Sequence, residues 1–449
     1  MSAKKYIIDG NCEQVREEMR KYKTEDIFVY QWRDRIYEDI RELYDILLEE
    51  KEYMALKDFN ECQFLIEYAV GNVKNRKHYP VYMQVEHTSY CNARCIMCSH
   101  YYMGNQGAFH MSENIFQKIE KYLPYVRRVG LHGYGEPFMA KGFLEHLERY
   151  QRYGVKFFVN TNLSILPEGM EKFYSDFEFI NISCDGTTKE VFEGIRKNLK
   201  FEDFIANVKK LRAQAENVRL VLAVVLMRQN LHQCREFIEM AAELGVDEVT
   251  FSKVGINYVI GNYEDAVENY PQTLYKNLKE AIEAGEKLGV KVAAPLDKSV
   301  LDKVIDEETL LEEAKRMRDL PFWTYTSEEV YKKLETMKFY DIPLQLPLDE
   351  KCFQPTGVSV KGVCDWLLED IYISAEGKIA FCCSNARYYV GDLNRQSIDE
   401  VWKGENYQRM IGMFKKGCLP DYCKYCNHLA KQLLKYVKCD TEELLRLRK

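Results

Sequence analysis

The sequence predicts an α/β fold in which a parallel sheet curves into a partial (β/α)6, TIM-like barrel. Between residues 81 and 300, short apolar runs alternate with longer amphipathic segments in about six strand-helix repeats. Some runs, such as LVLAVVLM at 220–227, are apolar throughout, which is typical of parallel strands that helices cover on both faces. In such folds the loops at the carboxyl ends of the strands carry the active site, so functional residues are expected there.

The flanking segments differ from this repeat in composition. Residues 36–48 have apolar residues at helical spacing and predict an α-rich N-terminal extension, to which the sequence assigns no role. Prolines interrupt the charged segment after the repeats, and the stretch beyond it is dense in cysteine and has short strand patterns. The predicted divisions are the N-terminal extension (1–80), the barrel (81–300), linker or cover helices (301–350), a small cysteine-rich C-terminal domain (351–430) and a C-terminal helix (431–449).

Charge and hydropathy exclude several classes of protein. The 449 residues include 63 Lys or Arg and 70 Asp or Glu, a net charge of -7, without a dense basic block, so no nucleic-acid partner is expected. No stretch approaches the roughly 18 apolar residues of a membrane-spanning helix, and the first residues lack the apolar core of a signal peptide. We therefore expect a cytoplasmic protein. In that reducing compartment the 15 cysteines favour metal binding or buried thiols over a disulfide framework.

The first cysteine cluster is Cys91, Cys95 and Cys98, in the loop after the first predicted strand. The C-x3-C-x2-C spacing can turn three sulfurs toward one point, and thiolates are the preferred ligands of iron-sulfur clusters. Three ligands on a four-iron cluster leave one iron open. The alternatives are a structural zinc site completed by His100, which would be closed and tetrahedral, or three unrelated buried thiols.

This motif resembles the cluster motif of radical S-adenosylmethionine (SAM) enzymes. The resemblance implies a catalytic [4Fe-4S] cluster on Cys91, Cys95 and Cys98, with SAM on the open iron. It also implies cleavage of SAM to a 5'-deoxyadenosyl radical, which abstracts a hydrogen atom from the substrate. Met97 stands where the family often has an aromatic residue, and it keeps the apolar character of that position.

The ends of the next strands carry the rest of the resemblance. Tyr134-Gly135-Glu136 resembles the family's Gly-Gly-Glu motif, in which a glycine lets the backbone approach the SAM amino group. Asn160-Thr161-Asn162 stands where relatives often have Thr-Asn-Gly, and Leu163 replaces the glycine.

The fourth predicted strand ends in Ser183-Cys184-Asp185-Gly186, and Arg196 follows. The resemblance places Ser183 and Asp185 near the ribose and methionine parts of SAM and pairs Arg196 with its carboxylate, a task that suits a forked guanidinium. Taken singly, these residues also fit a helix cap, a turn and a solvated arginine. The SAM contacts that the resemblance implies are Met97, Tyr134, Gly135, Glu136, Asn160, Asn162, Ser183, Asp185 and Arg196.

A second cysteine set lies near the C-terminus. Cys364 and Cys382 bracket a predicted hairpin, and Cys423 and Cys426 form a pair on a tight turn, which together suit a closed four-ligand site. The segment resembles the SPASM/twitch auxiliary-cluster domain in Gly377-x4-Cys382, Gly391-Asp-Leu and Ser397 to Trp402. The resemblance implies one auxiliary [4Fe-4S] cluster, a zinc ribbon being the alternative. Cys383 is a candidate substitute ligand, whereas Cys352 and Cys418 are candidates for ligands of a second cluster, for hydrogen-atom donors or for neither role.

The chemistry expected from this architecture is hydrogen-atom abstraction followed by oxidation or epimerisation. We favour a small-molecule substrate, with carbohydrates as candidates, because residues 1–80 lack the strand-rich opening of a leader-peptide-binding module. The cluster loop also lacks the tyrosines common there in peptide and sulfatase maturases. The alternative is maturation of a ribosomal peptide or a protein, and the third hypothesis is a non-catalytic, metal-stabilised scaffold. The expected reductant is flavodoxin or ferredoxin.

Overall fold

The centre of the molecule is a ten-stranded, mostly parallel sheet, which confirms the predicted α/β class. None of the described helices combines the length and apolarity that a membrane crossing requires. The computed structural model describes residues 40–69, 76–98, 108–255, 263–295, 304–322, 353–355, 364–382, 389–415 and 418–420.

The secondary structure follows the predicted alternation of strands and helices. In chain order the described strands are β1 (Tyr82–Val85), β2 (Arg94–Cys95), β3 (Arg128–Leu131), β4 (Lys156–Thr161), β5 (Phe177–Ser183), β6 (Arg196–Lys197), β7 (Leu220–Leu226), β8 (Glu248–Lys253), β9 (Lys291–Ala293), β10 (Phe353–Pro355), β11 (Asp370–Ile373), β12 (Lys378–Ala380), β13 (Tyr389–Asp392) and β14 (Cys418–Pro420). The described α-helices are α1 (Ile40–Glu49), α2 (Tyr53–Ala69), α3 (Glu113–Glu120), α4 (Phe143–Arg152), α5 (Lys189–Ile195), α6 (Phe201–Gln214), α7 (Cys234–Leu244), α8 (Pro271–Leu288), α9 (Glu307–Asp319), α10 (Asp365–Glu369), α11 (Ile398–Trp402) and α12 (Glu405–Lys415).

The barrel part of the sheet has the order β1-β3-β4-β5-β7-β8-β9, and each neighbouring pair is parallel. Parallel strands need a crossover connection, and the helices between successive strands supply it. All carboxyl ends of these strands therefore lie at one edge, where the predicted motifs begin.

The hairpin of the cysteine-rich segment continues this sheet. Strand β11 pairs in parallel with β1, with Tyr82 opposite Asp370 and Val85 opposite Ile373. Strands β12 and β13 follow in antiparallel pairing. We expected a small separate domain here, but hydrogen bonds join its hairpin to the first barrel strand, so the two parts share one sheet.

The N-terminal extension packs on the outside of the barrel. Tyr44 and Phe59, from helices α1 and α2, cluster with Tyr125 of the barrel. The Asn60 side chain donates to the Tyr125 carbonyl at 3.2 Å and accepts from the Tyr44 hydroxyl at 3.0 Å. The predicted α-rich character of this extension is therefore present in its described residues.

Residues just before β1 connect the extension to the C-terminal segment. The Arg76 guanidinium lies 4.0 Å from the centre of the Trp402 ring and donates to the Leu367 carbonyl at 2.9 Å. Trp402 Nε1 in turn donates to the His78 carbonyl at 3.0 Å. A buried cation over an aromatic face adds about 2 kcal/mol, so this contact helps to hold the hairpin in place.

The two faces of the barrel sheet differ in polarity. The helix-covered face is apolar, and burying each of its large side chains stabilises the fold by roughly 1.5–3 kcal/mol. The opposite, concave face carries polar residues that stay partly exposed. The helix-covered face includes the fully buried Val129, Leu131, Phe157, Val159, Ile180, Ile182 and Leu222, whereas the concave face includes Asn160, Asn181, Thr250 and Ser252.

Candidate active site

The cysteine loop lies at the carboxyl end of β1, where the sequence predicts it. Its short strand β2 pairs with β6, which places Cys95 opposite Arg196. The Cys98 amide donates to the Cys95 carbonyl at 3.0 Å and so closes a turn. The side chains of Cys91, Cys95 and Cys98 are all partly exposed.

Burial keeps the thiols of Cys91 and Cys95 protonated in the absence of a metal. It raises the pKa of Cys91 to about 11 and the pKa of Cys95 to about 12. The Arg196 guanidinium opposes this effect, because its Nη1 donates to the Cys95 sulfur at 3.7 Å. Iron would displace the thiol protons on binding, and a nearby arginine favours the resulting thiolates. The donor set therefore fits an iron-sulfur cluster.

The zinc alternative includes His100, so the described part of the chain holds only some of its ligands. Among the described residues, no three His, Cys, Asp or Glu side chains converge as one metal ion requires. The fourth zinc ligand that the sequence suggested, His100, lies outside the described residues.

Glu136 ties the turn after β3 to the end of β4. Its Oε1 accepts from Thr161 Oγ1 at 2.5 Å, and its Oε2 accepts from the Asn162 amide at 2.7 Å. Burial raises the pKa of this carboxyl to about 7, and the hydrogen bonds oppose that rise. Both oxygens of Glu136 bind protein groups, so this side chain holds the turn after β3 in place from its protein side.

The glycine after Tyr134 is needed for packing against the protein itself. A Cβ on Gly135 would lie 2.2 Å from the Thr88 carbonyl oxygen and 2.6 Å from that of Tyr90. The sequence suggested that this glycine makes room for SAM, but the space is filled by the chain leading to Cys91. The Tyr134 side chain beside it is 38% exposed.

Asn162 connects the end of β4 to the cysteine loop. Its Nδ2 lies 3.1 Å from Asn92 Oδ1 and 3.9 Å from the Cys91 sulfur. Leu163 follows with φ of +51°, in the left-handed region, although its side chain is fully buried. The backbone thus keeps a shape suited to the glycine that relatives often have there.

Asp185 lies behind Arg196 and is fully buried. One carboxylate oxygen accepts from the Val225 amide at 2.8 Å, and the other pairs with Arg196 Nη2 at 2.7 Å. The resemblance suggested a contact between Asp185 and SAM. The structure instead directs both of its oxygens to the protein, where they orient the guanidinium.

One nitrogen of the Arg196 guanidinium, Nε, is left to donate to a ligand. Its Nε is buried and has no hydrogen-bond partner among the described residues. A carboxylate could accept from this nitrogen, since guanidinium groups bind carboxylates well. The orphaned donor therefore fits the SAM carboxylate that the sequence suggested for Arg196.

The other SAM contacts suggested by the sequence differ in position. Ser183 ends β5 and is partly exposed at the carboxyl edge. Met97 packs against an apolar cluster with Ile96 and Ile195. Asn160 lies deeper on the concave face and accepts from Asn181 Nδ2 at 2.7 Å. Ser183 therefore lies at the carboxyl edge with the other site residues, whereas Asn160 lies inside the barrel.

Glu86 is a residue that the sequence analysis missed. It is 3% exposed at the end of β1; its Oε1 accepts from the Tyr134 amide at 2.5 Å and its Oε2 from the Ala375 amide at 3.1 Å. Its stem also fills the space that a Cβ on Gly133 would need. Glu86 therefore joins the turn after β3 to the C-terminal hairpin. The sequence signal that could have indicated this residue is a glutamate directly after the mostly apolar run VYMQV.

The segment after α9 lies over the carboxyl ends of the strands. Arg228, which follows β7, donates to the Met317 carbonyl at 3.1 Å and to the Pro321 carbonyl at 2.6 Å. The Phe322 ring lies against Gly194, where an added Cβ would come within 2.8 Å of it. This contact places Phe322 beside a residue two positions before Arg196.

Only half of the predicted auxiliary site lies in the described residues. Cys364 is buried and Cys382 is partly exposed, and the two lie at the two ends of the hairpin. Strand β14 places the Cys418 backbone opposite Pro355. The predicted ligands Cys423 and Cys426, and the additional candidates Cys352 and Cys383, lie outside the described residues.

Two protein-family profiles match the chain. The profile of the radical SAM superfamily matches residues 85–241, which include the cysteine loop and Arg196. The profile described as an iron-sulfur cluster-binding domain, SPASM, matches residues 364–427, which include both predicted auxiliary pairs.

Curated relatives match part of the chain. Mycofactocin maturase MftC of Mycolicibacterium smegmatis is 28% identical over 173 residues, which are 37% of this chain and 43% of that protein. A tungsten-containing aldehyde ferredoxin oxidoreductase cofactor-modifying protein of Pyrococcus furiosus is 24% identical over 192 residues, 38% of this chain and 51% of that protein. The matches thus span about half the length of these relatives, or less.

Solved structures share the fold. SuiB of Streptococcus suis bound to S-adenosylmethionine has a TM-score of 0.52 at 12% identity, covering 88% of this chain and 83% of that one. SuiB bound to its precursor peptide SuiA has a TM-score of 0.51 at 11% identity, covering 84% and 75%. At these identities the similarity supports the fold alone.

Proposed function

Because the chain belongs to the radical SAM superfamily and carries a C-terminal SPASM domain, we propose that it is an enzyme that modifies a peptide or protein. The observation that carries this proposal is the local sequence similarity to a maturase, mycofactocin maturase MftC. The SuiB fold, which holds a precursor peptide, is consistent with it. This reverses the preference for a small molecule that we drew from the sequence, and makes the peptide alternative the main hypothesis.

The family assigns the chain a [4Fe-4S] cluster with SAM and an auxiliary iron-sulfur cluster. In our proposal Cys91, Cys95 and Cys98 hold the first cluster. When bound and reduced, that cluster supplies the electron that cleaves SAM to a carbon radical able to abstract hydrogen. Cys364, Cys382, Cys423 and Cys426 hold the auxiliary cluster in the same proposal.

The chain's own residues bind and orient SAM. Arg196, fixed by Asp185 at 2.7 Å, presents its remaining donor to the SAM carboxylate. Glu136 and Glu86 hold the turn at 133–136 from two sides, so its backbone is in place before SAM binds. Such preorganisation lowers the cost of binding, because the turn loses little conformational freedom.

Residues 317–322, which are the end of α9 and the residues after it, lie against the loop after β7 and against Gly194 of α5. Arg228 and Gln229 both donate to carbonyls of this segment, at 2.6 Å to Pro321 and 2.8 Å to Phe322. We assign this segment the task of excluding water from the radical site on one side.

Anaerobic reconstitution with iron and sulfide tests the enzyme class. The wild type should hold about eight irons per chain, as two [4Fe-4S] clusters require, and form 5'-deoxyadenosine from SAM with dithionite. A Cys91/Cys95/Cys98 triple alanine variant should keep about four irons and form none. Bound zinc and no 5'-deoxyadenosine in the wild type would instead indicate a metal-stabilised scaffold.

A substrate comparison tests the peptide assignment. Short precursor-like peptides encoded beside the gene should raise the rate of 5'-deoxyadenosine formation and undergo a mass change. Monosaccharides and aminocyclitols serve as the matched panel. A mass change in that panel, with none in the peptides, would contradict the proposal and restore the small-molecule hypothesis.

A further inference from the structure

The concave face of the barrel has a row of polar residues at one level. The register sets Leu131 opposite Val159, so His132 is next to Asn160, and Asn160 is itself opposite Asn181 on β5. His132 directly follows β3, and the two asparagines lie on the neighbouring strands β4 and β5. Neighbouring strands are about 4.8 Å apart across a sheet. The row below it is aromatic, since the rings of Phe158 and Phe179 stack at 4.8 Å.

The two asparagines leave one NH2 group and one carbonyl oxygen without a partner among the described residues. Asn181 Nδ2 donates to Asn160 Oδ1 at 2.7 Å, and the described residues offer these side chains no other partner. Asn160 therefore keeps its NH2 group and Asn181 keeps its carbonyl oxygen. Exchanging oxygen and nitrogen in both amides leaves the same pair, with the roles reversed. Both side chains are partly exposed on the concave face.

His132 adds a further unused polar atom. Its Nδ1 is buried and has no hydrogen-bond partner within the described ranges. Burial lowers the pKa of this imidazole to about 4, so it is neutral at pH 7. The ring leans over Gly130, whose missing side chain gives it room beside Phe158.

Charges around this row are already paired. Arg128 binds Glu178 at 3.2 Å, and Arg219 faces Glu248 at 4.0 Å. Glu86, on the other side of His132, accepts from two backbone amides. A charged ligand group would therefore lack a counter-ion here, whereas a neutral polar group would find both a donor and an acceptor.

We propose that Asn160 and Asn181 bind a neutral amide group of the substrate on the floor of the barrel, with His132 beside it. The substrate carbonyl accepts from Asn160, and its N–H donates to Asn181. This inference rests on the proposed function and narrows it to a substrate that presents a peptide bond or a primary carboxamide.

The position of the pair suits a substrate site. Asn162, two residues beyond Asn160 on the same face, lies 3.9 Å from the Cys91 sulfur. Two residues of a strand span about 6.6 Å, so a group bound to the asparagine pair lies about that distance from Asn162, toward the interior of the barrel. A substrate anchored there extends toward the carboxyl edge, where the SAM-binding turn lies.

Small planar probes of equal shape test the proposal. Crystals of the reconstituted full chain with SAM are soaked with acetamide, N-methylacetamide, acetamidine or acetate, and ligand-observed NMR gives the affinities in solution. Acetamide represents a side-chain carboxamide, and N-methylacetamide represents a peptide bond. We expect one or both amides on the asparagine pair, and neither acetate nor acetamidine there.

Asn181→Asp should reverse this preference. The new carboxylate accepts from Asn160 Nδ2, so the second carboxylate oxygen and Asn160 Oδ1 face the ligand as two acceptors. Acetamidine, with two N–H donors, should then bind in place of the amides, a change of about tenfold or more in their affinity ratio. Asn181→Leu should abolish binding of every probe. Asn277→Asp, on the outer helix α8, is the matched control and should keep the wild-type preference.

Three results would overturn the inference. The first is that the amides bind no better than acetate, and the second is that Asn181→Asp does not reverse the preference. The third is that Asn181→Asp changes only the affinity for SAM, which would show that the asparagine pair binds the cofactor. SAM cleavage by the wild type is measured in parallel. Its failure would remove the proposed function, whereas cleavage without amide binding would remove only this inference.

Discussion

Leu163 is a buried leucine in a backbone conformation that favours glycine. Its φ of +51° costs roughly 1–2 kcal/mol for a residue with a Cβ. Its fully buried side chain, however, contributes more than that, because removing a buried leucine costs about 2–5 kcal/mol. The packing term is therefore expected to exceed the strain.

Leu163→Gly should destabilise the protein by about 2 kcal/mol, although relatives often have glycine there. The measurement is urea unfolding of the unloaded chain. Lys51→Gly is the control, because Lys51 also has a positive φ, +59°, but an exposed side chain. That variant should lose no stability. A Leu163→Gly protein more stable than the wild type would show that strain outweighs packing.

Glu86 acts through the two backbone amides it holds. In Glu86→Gln one amide would face an NH2 group instead of an oxygen, and a hydrogen bond to a charged group contributes about 1.5–3 kcal/mol. We expect SAM affinity to fall about tenfold, with an unchanged iron content. Equilibrium dialysis with SAM is the measurement, and Glu376→Gln, exposed on the same hairpin turn, is the control. Unchanged SAM affinity would refute this role.

At the scale of single elements, helices α3 and α4 meet through a buried histidine. The His146 ring stacks on Phe116 with centroids 3.8 Å apart. Burial, with a smaller contribution from Arg149, lowers the pKa of His146 to about 4. The neutral ring therefore belongs to the packed interface. The ionisable groups that act on it are Arg149, Glu113, Glu145, Glu120 and His87.

The sign of the pH effect follows from this lowered pKa. Between about pH 6.5 and pH 4 the unfolded chain binds a proton at His146 that the folded chain does not, so stability falls as the pH falls. Urea unfolding should show a loss of about 2 kcal/mol from this residue between pH 7 and pH 5. His146→Phe should lack that part of the loss. Equal pH dependence in the two proteins would contradict the assignment.

At the scale of the whole molecule, the C-terminal hairpin supports the barrel. It supplies the edge partner of β1 and the amide that binds Glu86, and helix α11 beyond it supplies the Trp402 contact with Arg76. Removing it would expose an unpaired strand edge and an apolar surface. The hairpin therefore supports the barrel through its backbone and packing, and this support can be tested separately from the auxiliary cysteines.

A chain that ends at residue 363 should fail to bind SAM, even with Cys91, Cys95 and Cys98 intact. A variant with alanine at Cys364, Cys382, Cys423 and Cys426 keeps the hairpin and should retain SAM binding while losing about four irons. Equilibrium dialysis and iron analysis separate the two. SAM binding by the shortened chain would show that the barrel site is independent of the hairpin.

The sequence by itself determined the fold class, the family and the cofactors. Strand and helix periodicity is local, and the C-x3-C-x2-C loop and the SPASM motifs are contiguous, so both can be read without knowing which strands are neighbours. The substrate class was not determined in this way. The sequence favoured a small-molecule substrate, whereas the comparisons give more support to a peptide.

Only the tertiary structure decided how distant residues act on one another. It turned Asp185 toward Arg196, filled the space beside Gly135 with backbone, and set Glu86 against Ala375, 289 residues away. Likewise, the pairing of Asn160 with Asn181 depends on the register of β4 and β5. The physical reason is that hydrogen-bond partners and burial are set by which strands lie side by side, and local residue patterns carry no record of that.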